Sequence, residues 1–227
     1  LKIFCINLDK SKKRWDNILK QANKEHITIN RFSAINGHNM DNKLLKEYNV
    51  QLKKNIKNGA LGCALSHIKL LKHIQNEKSK YCLILEDDIE LPNDFNNKLK
   101  KYINKINFDF DIIFIGGCNI YGKKINENFI KPVYSKNQFI NKYNLCCHAM
   151  LVKPSNVKNI LNALSPLERT IDTQIRENID NLNIFYLNPP LIYQNRDISS
   201  DLQSINLQNN NNKANKYKNI NNITIIE

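Results

Sequence analysis

Short apolar runs alternate with longer amphipathic stretches along this chain, and that alternation sets the expected elements. Residues 1–8 (LKIFCINL) read as a strand, followed by Asp9-Lys10-Ser11 and a polar helix from about Lys12 to Glu25. Residues 27–35 alternate apolar and polar positions and read as a second strand, closed by the turn signal Asn36-Gly37. Residues 41–57 are polar and partly helical. Leu61, Ala64, Leu65, Ile68 and Leu71 recur at helical spacing, which predicts an amphipathic helix from Ala60 to about Lys78, introduced by Gly59. Next come a strand over 81–85, a helix over 94–106 behind Pro92, and a strand over 109–115 ending in Gly116-Gly117. A loop-rich hairpin region over 118–142 follows, then a strand over 145–152, a helix over 155–164 with Ser155 as N-cap, a helix over 171–181 and a strand over 184–187. Strands alternating with helices, without an internal repeat, define an α/β class. The asparagine-rich run Asn209–Asn212 sets off the end of the chain. The expected organisation is therefore one folded domain over residues 1–204 and a mobile, low-complexity tail over 205–227.

Composition narrows this picture. At 227 residues and 41% apolar content the chain can bury a sizeable core. It has no run of eighteen apolar residues that would span a membrane. Its start lacks the charged lead, long apolar region and cleavage site of a signal peptide, and the missing initiating methionine points to a mature fragment or a piece of a longer chain. The six cysteines, Cys5, Cys63, Cys82, Cys118, Cys146 and Cys147, form no CxxC pair, which argues against structural zinc. Reduced thiols are expected, with Cys63 in a packing role, in a cytoplasmic or otherwise intracellular setting. The net charge of +13 suits nucleic acid, an anionic membrane surface or a phosphorylated substrate. The lysines are spread along the whole chain with no basic stripe interleaved by aromatics, which argues against nucleic acid; peripheral contact with a membrane remains compatible. Heavy use of Lys, Asn and Ile together also follows from an AT-rich genome.

Against that basic background, Leu85-Glu86-Asp87-Asp88 places three consecutive carboxylates at the end of an apolar strand. Open α/β sheets hold their ligands beyond the carboxyl ends of strands. Concentrated negative charge there is costly unless a cation offsets it, and a hard divalent ion with oxygen ligands that bridges to substrate phosphates is the simplest occupant. An exposed acidic turn is the competing reading of the same tripeptide.

Other motifs occur in a fixed order around it. Ile6-Asn7-Leu8-Asp9-x-Ser11-x-x-Arg14-Trp15 is followed by Ala34-Ile35-Asn36-Gly37 and by Gly59-Ala60-Leu61-Gly62-Cys63-Ala64-Leu65-Ser66-His67. The acidic block and Asp109-Phe110-Asp111-Ile112-Ile113-Phe114-Ile115-Gly116 complete the set. In this order the set resembles glycosyltransferase family 25, which includes lipooligosaccharide galactosyltransferases and the glycosyltransferase domain of collagen hydroxylysine galactosyltransferases. The resemblance covers roughly residues 2–204. It implies a GT-A type Rossmann-like domain with a mostly parallel central sheet flanked by helices. It also implies a UDP-sugar donor, inversion at the anomeric carbon, and a hydroxyl acceptor on a glycan or a collagen-like chain.

By that resemblance Glu86 and Asp88 take the outer places of an Asp-x-Asp motif as ligands of Mn²⁺ or Mg²⁺. Asn7, Arg14, Gly59, Ser66, His67 and Asp87 fall on the donor side. Asp172, in Thr170-Ile171-Asp172-Thr173, is the candidate general base, with a helix N-cap as the competing reading. The closing segment departs from the family pattern. Gln194, Asn195 and Arg196 stand where some members carry a histidine, so Gln194 or Asn195 is a neutral oxygen ligand, or Arg196 pairs with the diphosphate. Asp201 matches a Ser-Asp motif. Asn36 stands where the family usually has aspartate. These departures leave a catalytically weak or inactive nucleotide-sugar-binding module as the alternative.

Overall fold

The structure is a computed structural model that describes residues 1–133, 144, 146–195 and 223–225. Its strands are β1 (Lys2–Asn7), β2 (Asn30–Ser33), β3 (Cys82–Glu86), β4 (Ile89–Glu90), β5 (Ile112–Phe114), β6 (Ile120–Lys124), β7 (Phe129–Pro132), β8 (Ala149–Val152), β9 (Ile184–Leu187), β10 (Tyr193–Gln194) and β11 (Ile223–Ile225). Nine of them form one sheet in the order β11-β6-β7-β9-β5-β8-β3-β1-β2, while β4 and β10 pair as a small antiparallel ribbon. Within the large sheet only β7 and β8 run against the rest, so it is mostly parallel.

The central strands β3, β5, β8 and β9 are apolar at every position before Glu86, because each face of the sheet is covered. Phe4, Ile6, Ile84, Phe114, Met150 and Tyr186 point into a core closed by α3 (Asn58–Ile74), α5 (Val157–Ala163) and α6 (Ile171–Glu177). Their neighbours in sequence, Ile3, Cys5, Leu83, Leu85, Ile113 and Leu151, point into a second core closed by α1 (Lys12–Lys24) and α4 (Phe95–Ile103), while the short α2 (Asn42–Glu47) buries none of its residues. No helix among the described residues is long and apolar enough to cross a membrane.

The order of strands positions the site. β2 lies on one side of β1 and β3 on the other, so strand order reverses at β1 and opens a crevice beyond its carboxyl end. The antiparallel β8 starts at this same end, between β3 and β5.

Several boundaries differ from expectation. Pro154 starts a 3-10 turn over Pro154–Asn156, so Ser155 lies inside that turn and the helix begins at Val157. β2 is shorter than the alternating stretch over 27–35 suggested, being an edge strand with mostly exposed side chains. The expectation of reduced thiols is corrected at one pair. Cys118 follows β5 and Cys146 precedes the neighbouring β8, and the sheet brings them together as a disulfide; Cys5, Cys63, Cys82 and Cys147 are free. Of the tail, Ile223–Ile225 pairs with Ile120–Gly122 at the sheet edge.

Candidate active site

Alternation along β3 continues past its last residue and divides the acidic block. Glu86 turns towards α3, in step with Cys82 and Ile84, and Asp87 turns towards α1, in step with Leu83 and Leu85. Asp87 is buried, with Arg14 Nη1 donating to its Oδ1 (2.8 Å) and Asn7 Nδ2 to its Oδ2 (2.6 Å). Asn7 is buried too, and its Oδ1 accepts from Arg31 Nε at 2.8 Å, while Arg31 also pairs with Asp9. Asn7 and Asp87, expected on the donor, thus form a buried network that ties the end of β1 to β3; Arg14 stays partly exposed at its edge. Arg31 was not singled out from the sequence. Its position on an edge strand beside β1 is the signal that could have found it.

Asp88 is the least satisfied of the three carboxylates. Gln194 Nε2 donates to its Oδ2 at 3.1 Å, while its Oδ1 is buried with no hydrogen-bond partner. The β4–β10 ribbon, which pairs Gln194 with Ile89, carries the glutamine there, and Asn195 N–H locks the approach by donating to the Asp88 carbonyl at 2.6 Å. Burial and the neighbouring acidic charges raise Glu86 to about 7, with desolvation the larger cause and Asp87 next. Asp88 is raised to about 7 by burial, then by Glu86 and Asp87.

The glycine-rich helix start has a different task from the one expected. A Cβ on Gly62 would lie 2.6 Å from Gly37 N and 2.8 Å from Ile35 O, and one on Gly37 would overlap the Asn58 carbonyl. These glycines let the turn after β2 rest directly on α3. Ser66 completes that junction: it is buried, and its hydroxyl donates to Gly62 O and accepts from Ile35 N–H. Gly59 lies in the first turn of α3, which has no side-chain cap. Asn36 accepts from His38 N–H at 3.1 Å, a bond an aspartate there would make equally, so this departure from the family pattern leaves the turn intact. His67 is fully buried behind Glu86, with its Nε2 at 3.6 Å from Glu86 Oε1, and burial lowers its pKa.

Asp172 is the second residue of α6, so the cap position belongs to Thr170. The Thr170 hydroxyl and the Thr173 N–H both donate to Asp172 Oδ1, at 2.7 and 2.8 Å. Its charge acts on Glu86, Cys63 and Cys147, which puts it on the same side of the sheet as Glu86. The structure thus gathers Glu86, Asp88, Gln194 and Asp172 near the carboxyl ends of the central strands. Arg196 and Asp201 lie outside the described residues.

Under-satisfied carboxylates beyond the switch point of an open α/β sheet lie where such sheets hold their ligands. The chain belongs to glycosyltransferase family 25 (LPS biosynthesis protein), whose family model matches residues 1–175. It is 29% identical over 126 residues to procollagen galactosyltransferase 2 of Mus musculus; the match takes in 50% of this chain and 20% of that protein. It is also 26% identical over 152 residues to a procollagen lysyl hydroxylase and glycosyltransferase of Acanthamoeba polyphaga mimivirus, covering 57% of this chain and 17% of that one. The chain therefore spans about a fifth of the length of these relatives. Among solved structures, the galactosyltransferase LgtC with donor and acceptor sugar analogues overlaps with a TM-score of 0.45 at 9% identity, over 82% of this chain and 73% of that one.

Proposed function

We propose that this glycosyltransferase moves a hexose, with galactose as first choice, from a UDP-sugar to a hydroxyl acceptor with inversion, assisted by Mn²⁺ or Mg²⁺. The observation that carries the reading is the buried, unpartnered Asp88 Oδ1 beside Glu86. Oxygen donors held out of water and short of partners suit a hard divalent cation. Glu86 and Asp88 would hold it, with the Gln194 amide turned to offer its oxygen, an orientation that hydrogen-bond assignment leaves open. When bound, such a cation stabilises the charge that develops on the leaving diphosphate. Asp172 takes the proton from the acceptor hydroxyl as the new glycosidic C–O bond forms on the face opposite the breaking bond to the diphosphate. The Thr170 and Thr173 donors fix the carboxylate for that step. Galactose and the choice between a glycan and a collagen-like acceptor follow the names of the relatives.

Mixing the protein with Mn²⁺ and a panel of UDP-sugars and assaying UDP release tests the proposal. Metal-dependent release is expected, fastest with UDP-galactose. Neither release nor binding of any UDP-sugar at millimolar donor would sink it. Tight binding with no transfer to any acceptor would instead favour a nucleotide-sugar-binding module without turnover.

A further inference from the structure

Behind the acidic pair lies a group of side chains that the reaction above does not use. Cys63 and His67 stand one turn apart on α3, so both face β3. Cys63 Sγ is 3.7 Å and His67 Nε2 is 3.6 Å from the same oxygen, Glu86 Oε1, and one donor atom from each of the three residues lies within 4.8 Å of the others. His67 Nδ1 sits 3.1 Å from the Cys63 carbonyl, which selects the tautomer with Nδ1 protonated. A backbone carbonyl on one ring nitrogen is how imidazoles that bind metal through the other are commonly held. The other nitrogen, Nε2, is buried without a hydrogen bond, although the Cys147 carbonyl lies near enough to favour charge on the ring.

The distances separate a metal cluster from a plain polar one. A gap of 3.6 Å is too long for an O–H···N bond between Glu86 and His67. A tetrahedral zinc ion with its usual bonds to S, N and O sets its donors about 3.3–3.6 Å apart. The separations at Glu86 fall beside that range without movement of the backbone. One thiol, one imidazole and one carboxylate form a softer set than the all-oxygen group around Asp88.

We propose that Cys63, His67 and Glu86 form a second metal site, selective for a thiophilic divalent cation with Zn²⁺ foremost, and that it shares Glu86 with the donor site. On binding, the Cys63 thiol gives its proton to solvent and ligates as thiolate, Nε2 contributes its lone pair, and a fourth position stays open for water. Zinc held there draws Glu86 away from the donor-side cation and so opposes Mn²⁺. That antagonism rests on the function proposed above; the zinc site itself does not.

Cobalt serves as the spectroscopic stand-in. The chelator-stripped chain, with its Cys118–Cys146 disulfide intact, titrated with Co²⁺ is expected to develop a sulfur-to-metal charge-transfer band in the near ultraviolet, saturating at one equivalent and bleached by Zn²⁺. Cys63→Ser should abolish the band and His67→Gln weaken it, whereas Asp88→Asn should keep it. A wild-type measurement guards against variants that fail to fold. Cys63 is the partly exposed thiol among the four free ones, so its alkylation can be followed by peptide mapping. With free Zn²⁺ at ten times its Kd, alkylation at Cys63 should slow about tenfold, and Mg²⁺ should have no such effect. No band at saturating Co²⁺, a band that survives Cys63→Ser, or alkylation indifferent to Zn²⁺ would each overturn the proposal. Neither readout needs donor or turnover, so a chain that binds zinc but transfers no sugar supports this site and counts only against the proposed function.

Discussion

Asp88 and Asp172 are both carboxylates at one end of one sheet, yet their surroundings differ, and the function proposed above gives them different chemistry. Asp88 has one oxygen paired with Gln194 and one with nothing, in a place where burial disfavours its charge. Asp88→Asn removes that charge at nearly constant volume. It should lower cation-dependent turnover by on the order of a hundredfold or more while circular dichroism shows the fold intact. Unchanged turnover would exclude Asp88 as the principal ligand. Asp172 instead has Oδ1 held by two donors from its own helix start. Asp172→Asn is expected to reduce kcat by about 10²–10⁴ and leave UDP affinity unchanged, because loss of a general base affects proton removal and not donor binding. An equal loss of UDP affinity, measured calorimetrically, would move Asp172 from the acceptor side to the donor side.

Among the elements, the junction between α3 and the turn after β2 depends on two glycines and one buried hydroxyl. Gly62→Ala places a methyl against Gly37 N and Ile35 O, both backbone atoms that cannot swing aside. The expected cost is about 1–3 kcal/mol, read as a lower urea midpoint at constant slope. Asp87→Ala breaks the Arg14–Asp87 pair and removes the carboxylate that accepts from the Asn7 amide. After discounting for partial exposure, the expected loss is roughly 2–4 kcal/mol. The existence of most elements was legible in the sequence, because buried strands and the amphipathic α3 carry strong periodic patterns. The acidic block was legible as a candidate site because it stands at the carboxyl end of an apolar strand, where open α/β sheets hold ligands, with an acidic turn as the competing reading. The tasks of Asn7, Asp87 and Ser66 were not, since a polar residue inside a motif looks the same whether it faces a ligand or bonds to a neighbouring strand. Nor was the Cys118–Cys146 disulfide, which depends on β8 inserting antiparallel between β3 and β5, a choice that no local pattern encodes.

Over the whole molecule, the raised carboxyls link stability, pH and cation. Glu86 and Asp88 hold their protons up to about 7 in the folded chain, but release them in the ordinary carboxylate range when unfolded. The folded state therefore binds more protons between those limits, and the cation-free protein should lose stability as pH rises from about 4 through 7. Cation binding runs the other way, because it needs both groups ionised; the melting-temperature gain from Mn²⁺ should grow across the same window. A gain independent of pH would mean that the cation binds elsewhere. In the function proposed above, Glu86 and Asp88 build a cation-dependent site for a nucleotide diphosphate at the switch point of the sheet. Calorimetric titration of UDP tests it most directly, in Mn²⁺ and in chelator, into the wild type and Asp88→Asn. Binding to the wild type in Mn²⁺ is expected, with loss of that binding both in chelator and in the variant. UDP affinity unchanged by chelator or by Asp88→Asn would contradict it.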